Sequence, residues 1–225
     1  MKMNFAIVST AAVLAASVLA FSAPANASVY IGLQEAGVNG GAITNEGNGA
    51  TTFSFGGTYG TFNVNNISGT ALPLPSILDS SALDAVASGA GTLNVFVTET
   101  GLTAPIGTPF FNSGFTLNEL TAGWTVTEKT FLDSGNGTFT GAALGSAVFT
   151  ALGAQVQFDS AATGAGPYSI TEEYTIAATG AGSSNATINV SAVPEPATWA
   201  MFLVGFGGIG FMMRNGRRKG AVATA

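Results

Sequence analysis

The chain has 225 residues, of which only 8% are charged, with no Cys, no His and a formal net charge of −6. That length fits one domain plus processing segments. Without Cys there is no disulfide framework and no thiolate zinc site, and without His there is neither the usual near-neutral general base nor a Ser-His-Asp triad.

The charge is unevenly spread. Lys2, Arg214, Arg217, Arg218 and Lys219 lie at the two ends, and Lys129 is the one base between them. From Ser28 to Val193 there are eleven acidic residues against that single lysine. Such a surface repels nucleic acid and anionic lipid, so no nucleic-acid partner is expected, whereas cations are welcome.

Taken in chain order, the first element is a secretory signal. Lys2 gives a positive start, Phe5 to Phe21 is apolar and Ala-rich, and Ala25-Asn26-Ala27 has the small-x-small form of a cleavage site. The expected cut lies between Ala27 and Ser28, which makes the secretory translocon the first partner. There is no twin-Arg pair, so the general route is expected. An uncleaved membrane helix is the alternative.

The middle, residues 28–192, reads as an acidic exported domain of short strands. Candidates run over 29–33, 51–55, 59–67, 92–98, 124–131, 155–158, 168–176 and 186–191. Their period-2 alternation, rich in Thr, Val, Phe and Tyr, marks half-buried strands. Gly, Asn and Ser clusters such as Asp133-Ser134-Gly135-Asn136-Gly137 supply turns. A short helix is expected over 80–87, with Asp79 or Ser80 as N-cap. The pair Phe110-Phe111 sits in a Gly/Pro loop and reads as a core plug, or else as an exposed sugar-stacking platform. The fold class is therefore all-β, a β-sandwich or jelly roll. A disordered stalk is the alternative, opposed by the chain's sixteen Phe residues, eleven of them in this stretch, that can bury apolar area.

Two carboxylates break the alternation. Glu172 falls on the apolar face of Tyr168, Ile170, Tyr174 and Ile176, and Glu128 falls beside Trp124 and Val126. Each is expected at a sheet rim or reset by a bulge, or buried and paired, or binding a cation. A Ca²⁺ site would need six to eight oxygen ligands, and no EF-hand loop is present. A two-carboxylate glycosidase is a further alternative, although adjacent Glu172 and Glu173 point to opposite faces and cannot form such a pair by themselves. No cofactor is expected otherwise.

The C-terminal segment, residues 193–219, has three parts. Pro194-Glu195-Pro196 is a stiff, extended stretch that ends any preceding strand. Residues 197–213 follow with no charge, a run of 17. As a helix it spans roughly 26 Å, slightly short of a hydrocarbon core of about 30 Å. Trp199 marks the outer interface. The basic cluster Arg214, Arg217, Arg218 and Lys219 marks the cytoplasmic end, with residues 220–225 as a cytoplasmic tail. Gly205, Gly207, Gly208 and Gly210 let another helix approach closely. The segment reads either as a plain single-span anchor or as a handle for a processing enzyme.

The stretch VPEPATWAMFLVGFGGIGFMMRNGRRK resembles a PEP-CTERM sorting signal of the PEP-x-x-W-A form. The resemblance covers only the last thirty or so residues. It implies an exosortase-type transpeptidase as partner, with Pro194, Glu195, Pro196, Trp199 and Ala200 as recognition elements and the basic cluster as stop-transfer. It also implies an exported protein of a Gram-negative bacterium, at the cell surface or outside it, associated with exopolysaccharide. Asn215-Gly216 interrupts the basic run, which departs from the simplest form of the signal. The combined expectation is a non-enzymatic surface or matrix protein whose precursor is held in the inner membrane. A carbohydrate- or Ca²⁺-binding module is the alternative.

Overall fold

Alternation rewards a chain only where one face of a strand meets another apolar face, and here two sheets provide that for each other. The computed structural model describes residues 27–193 and 201–211. Twelve strands occupy the first stretch: β1 (Ser28–Glu35), β2 (Thr44–Gly49), β3 (Thr52–Tyr59), β4 (Phe62–Ala71), β5 (Ser76–Ala87), β6 (Gly91–Leu102), β7 (Phe110–Leu120), β8 (Thr125–Asp133), β9 (Ala142–Phe149), β10 (Gly153–Ser160), β11 (Tyr168–Ala178) and β12 (Gly182–Val193).

They form two six-stranded antiparallel sheets, ordered β2-β1-β6-β11-β8-β9 and β10-β7-β12-β5-β4-β3. We call these the first and second sheet. The β-sandwich expected from sequence is what forms. Its core fills the space between the sheets: Val29, Ile31 and Leu33 from β1, Val95 and Val97 from β6, and Phe62, Leu83, Phe115 and Ile188 from the second sheet are all fully buried. Burial of each such side chain contributes about 1.5–3 kcal/mol.

Each candidate strand coincides with or overlaps an observed one. Four strands had no such signal: β2, β5, β7 and β9. The helix expected over 80–87 is instead the second half of β5. Leu83, Ala85 and Ala87 alternate into the core, and β4 and β12 pair with β5 on its two sides. Two neighbouring ladders outweigh the local helix preference of an Ala- and Leu-containing stretch.

The strand over 155–158 is also a correction in burial. All of β10 is exposed or nearly so, because it is the edge of the second sheet. Val156 and Phe158 face outward at 59% and 64% exposure. Gln157 turns the other way and bonds both the N–H and the C=O of Ser146 on β9. That carboxamide satisfies the Ser146 backbone groups on the edge of the first sheet, where they would otherwise be open to pairing.

The predicted cut after Ala27 falls immediately before β1, and β12 runs to Val193. Residues 201–211 form a helix exposed at every position. No helix among the described residues is long and apolar enough to cross a membrane. The rest of the expected 17-residue span, at 197–200 and 212–213, lies outside the described residues.

Candidate functional site

Of the sequence-level site residues, Ala25, Pro194, Glu195, Pro196, Trp199, Ala200, Arg214, Arg217, Arg218 and Lys219 lie outside the described residues. Within the described part of that segment, the helix 201–211 presents Phe202 and Phe206 stacked, with ring centroids 6.0 Å apart.

Glu128 and Glu172 are placed unambiguously, and not at a rim. Both are fully buried on the inner face of the first sheet. Neither lies in a bulge: Glu172 pairs regularly with Val97 and Thr130, and Glu128 with Tyr174. Nor is either paired with a cation. Both oxygens of Glu172 and one of Glu128 lack a hydrogen-bond partner, while the other Glu128 oxygen accepts from the Thr116 amide at 3.1 Å.

A third such residue, Glu99, stands opposite Ile170 with both oxygens unpartnered. It continues the inward register Leu93, Val95, Val97 of β6 and becomes visible in the sequence once that strand is extended past Thr98. Register sets Glu99, Glu172 and Glu128 on a diagonal across β6, β11 and β8.

Burial without compensation favours the neutral acid. It raises the pKa of Glu99 to about 8 and that of Glu128 to about 8. Glu172 is also raised, by burial first and then by the like charges of Asp79 and Glu99, with Ser80 acting in the opposite sense. The Ser80 hydroxyl is itself engaged with Tyr174. Tyr174 donates to the Ser80 carbonyl and accepts from the Ile188 amide at 2.8 Å, which ties the first sheet to β5 and β12 of the second. No group of three or more acidic residues among the described ones is placed to hold a metal ion.

The outer face of the first sheet is different. The chain leaves β8 at Asp133 and returns at β9 across that face. Asp133 accepts from the amides of Gly135 and Gly137 at 2.8 and 2.9 Å, forming the turn read from the sequence. Asn136, with φ 62°, accepts from Gly101 at 2.7 Å, and the Gly137 carbonyl accepts from Ser169 at 2.6 Å. Phe139 has φ 59°, an uncommon conformation for a bulky residue, and its amide donates to Thr98 at 3.2 Å. Its ring lies against Phe96, centroids 5.9 Å apart. Gly32 makes this possible, since a Cβ there would come within 2.8 Å of the Phe139 ring.

Beneath the loop is a cavity of about 220 Å³. Phe96, Phe131 and Phe139 supply its aromatic lining, and Thr140, Thr171 and Glu173 its polar lining. Glu173 is paired with Lys129 at 3.4 Å, the one ion pair among the described residues. As expected from the sequence, Glu172 and Glu173 point to opposite faces. Phe110 and Phe111 open β7 rather than sitting in a loop: Phe111 is the core plug, and Phe110 is 52% exposed beside β10.

The segment following β12 matches a known family model, the PEP-CTERM protein-sorting motif, over residues 192–219. The chain carries a PEP-CTERM sorting signal. The match covers that segment alone and leaves the sandwich unassigned. No curated protein sequence matches the chain.

Among solved structures, the chain is similar to TmCBM61 in complex with β-1,4-galactotriose, at 9% identity and a TM-score of 0.33, over 64% of this chain and 88% of that one. It is also similar to the C-terminal CBM6 of LamC, a marine laminarinase from Zobellia galactanivorans, at 10% identity and a TM-score of 0.27, over 62% and 98% of the two chains. A third is Broad Bean Stain Virus, at 9% identity and a TM-score of 0.28, over 86% and 97%. Scores of this size carry no argument about what the sandwich binds or does.

Proposed function

We propose that this is an exported, non-enzymatic protein of the cell surface or extracellular matrix, sorted through its PEP-CTERM signal by an exosortase-type transpeptidase. The observation that carries this reading is the match at residues 192–219. The precursor is held in the inner membrane by the apolar run, with its basic end cytoplasmic. A span of roughly 26 Å is a modest permanent anchor but a sufficient handle for an enzyme that removes it. The mature protein associates with envelope or exopolysaccharide.

The glycosidase alternative loses support, because Glu128 and Glu172 are sealed between the sheets where no substrate reaches them. Intact mass of the mature protein tests the proposal. The expected result is loss of residues 1–27 together with processing near Pro194-Glu195-Pro196. A mature protein that keeps residues 194–219, or unchanged localisation and processing after their deletion, would overturn it.

A second reading, a carbohydrate-binding module, is favoured by one observation: an aromatic-lined cavity with polar groups, open on the outer face of the first sheet.

A further inference from the structure

Resting on that second reading, we propose that the cavity under loop 134–141 binds a single pyranose ring of a neutral glycan. Phe96 is nearly buried and forms the floor, while the half-buried Phe131 and Phe139 form the walls. Aromatic rings present apolar faces to the C–H faces of a sugar, and the remaining lining is hydrogen-bonding.

The polar side of the cavity fits hydroxyl groups better than a charge. The Glu173 carboxylate accepts, and the exposed Thr140 hydroxyl donates or accepts. A sugar hydroxyl does both, so two neighbouring hydroxyls match this pair. An organic cation would find Glu173 already neutralised by Lys129. An anionic sugar would meet a domain with eleven acidic residues and one lysine. A purely apolar ligand would leave the carboxylate on its wall without use.

Size narrows the ligand further. Pockets for drug-sized ligands run to about 300–1,000 Å³. A cavity of about 220 Å³ has room for one ring and not for an oligosaccharide chain, so a glycan end or side branch is the target. The loop is held ready by the Asp133, Asn136, Gly137 and Phe139 hydrogen bonds, which reduces the ordering cost of binding.

The test is saturation-transfer NMR on the full chain in a detergent without a sugar headgroup. The probes are the methyl pyranosides of glucose, galactose and mannose, with tetramethylammonium as the cationic control. At least one pyranoside is expected to bind. Glu173→Gln, which leaves the core untouched, is expected to weaken it about tenfold, as loss of one charge-assisted hydrogen bond would. Phe139→Ala is expected to abolish it, with thermal melting used to confirm that the variant is folded. Binding of a pyranoside that both variants retain would overturn the site while leaving the carbohydrate reading intact. Binding of tetramethylammonium in place of every sugar would overturn the ligand class. Absence of all saccharide binding, including to neutral polysaccharides in co-sedimentation, would overturn the site and the reading together.

Discussion

Glu99, Glu172 and Glu128 cross the interior of the sandwich on a diagonal, and none of them has a cation beside it. An uncompensated buried carboxylate is costly, so these groups fold as neutral acids. Their pKa values lie higher in the folded chain than in the unfolded one. Between about 4.5 and about 8 Glu99 and Glu128 therefore hold more protons in the folded state, and stability falls as pH rises through that window. Below about 4.5 their contribution is fully present. The melting temperature is expected to be higher at pH 5 than at pH 8.5, and Glu99→Gln is expected to flatten that slope and raise stability at pH 8.5 by a few kcal/mol. A pH-independent melting curve for both proteins would contradict this. Tyr174→Phe removes the group that satisfies the Ile188 amide and the Ser80 carbonyl, and is expected to cost about 1–3 kcal/mol in denaturant titration. The sequence showed that Glu128 and Glu172 sit on apolar faces. It could not show that they lack partners, because a partner is a matter of three-dimensional neighbours.

At the scale of elements, alternation was legible in β8, β11 and β12, which lie inside their sheets, but not in β5 and β7, which lie inside the second sheet as well. It misled at β10, where the sense is inverted: Val156 and Phe158 point out, and Gln157 points in. An edge strand has no full inner layer to face, and here its inward neighbour is the open backbone of β9. Val156→Lys is accordingly expected to change stability by less than about 0.5 kcal/mol. Leu83→Ala, in the segment whose composition resembles a helix, is expected to cost about 2–5 kcal/mol, since Leu83 is fully buried in a central strand. Equal effects for the two in thermal melts would contradict the edge and interior assignments. The cavity was invisible in the sequence because Phe96 lies on β6, far along the chain from Phe131 on β8 and Phe139 in the loop after it. The only hint was that Phe96 and Phe131 take outward positions, where a polar residue is usual.

For the whole molecule, the core lies between Val29 and Val190, and the helix 201–211 is exposed at every position. A chain of residues 28–193 is therefore expected to melt within about 2 °C of the full chain, by calorimetry. A larger fall would mean that the C-terminal segment contributes to the fold. The routing signals at both ends were readable because they are local strings of residues, whereas the pairing of strands across the sandwich is not. Register places the start of β1, beside Thr100, and the end of β12, beside Phe110, at the same pole, joined by the short 103–109 connection. β12 also lies inside the second sheet, flanked by β7 and β5. Under the proposed surface attachment through the C-terminal end, drag in moving fluid would reach the fold as tension along that strand. Because β12 is bonded on both sides, the pull loads two ladders in shear at once. A tether on the edge strand β10 or β3 would load a single ladder.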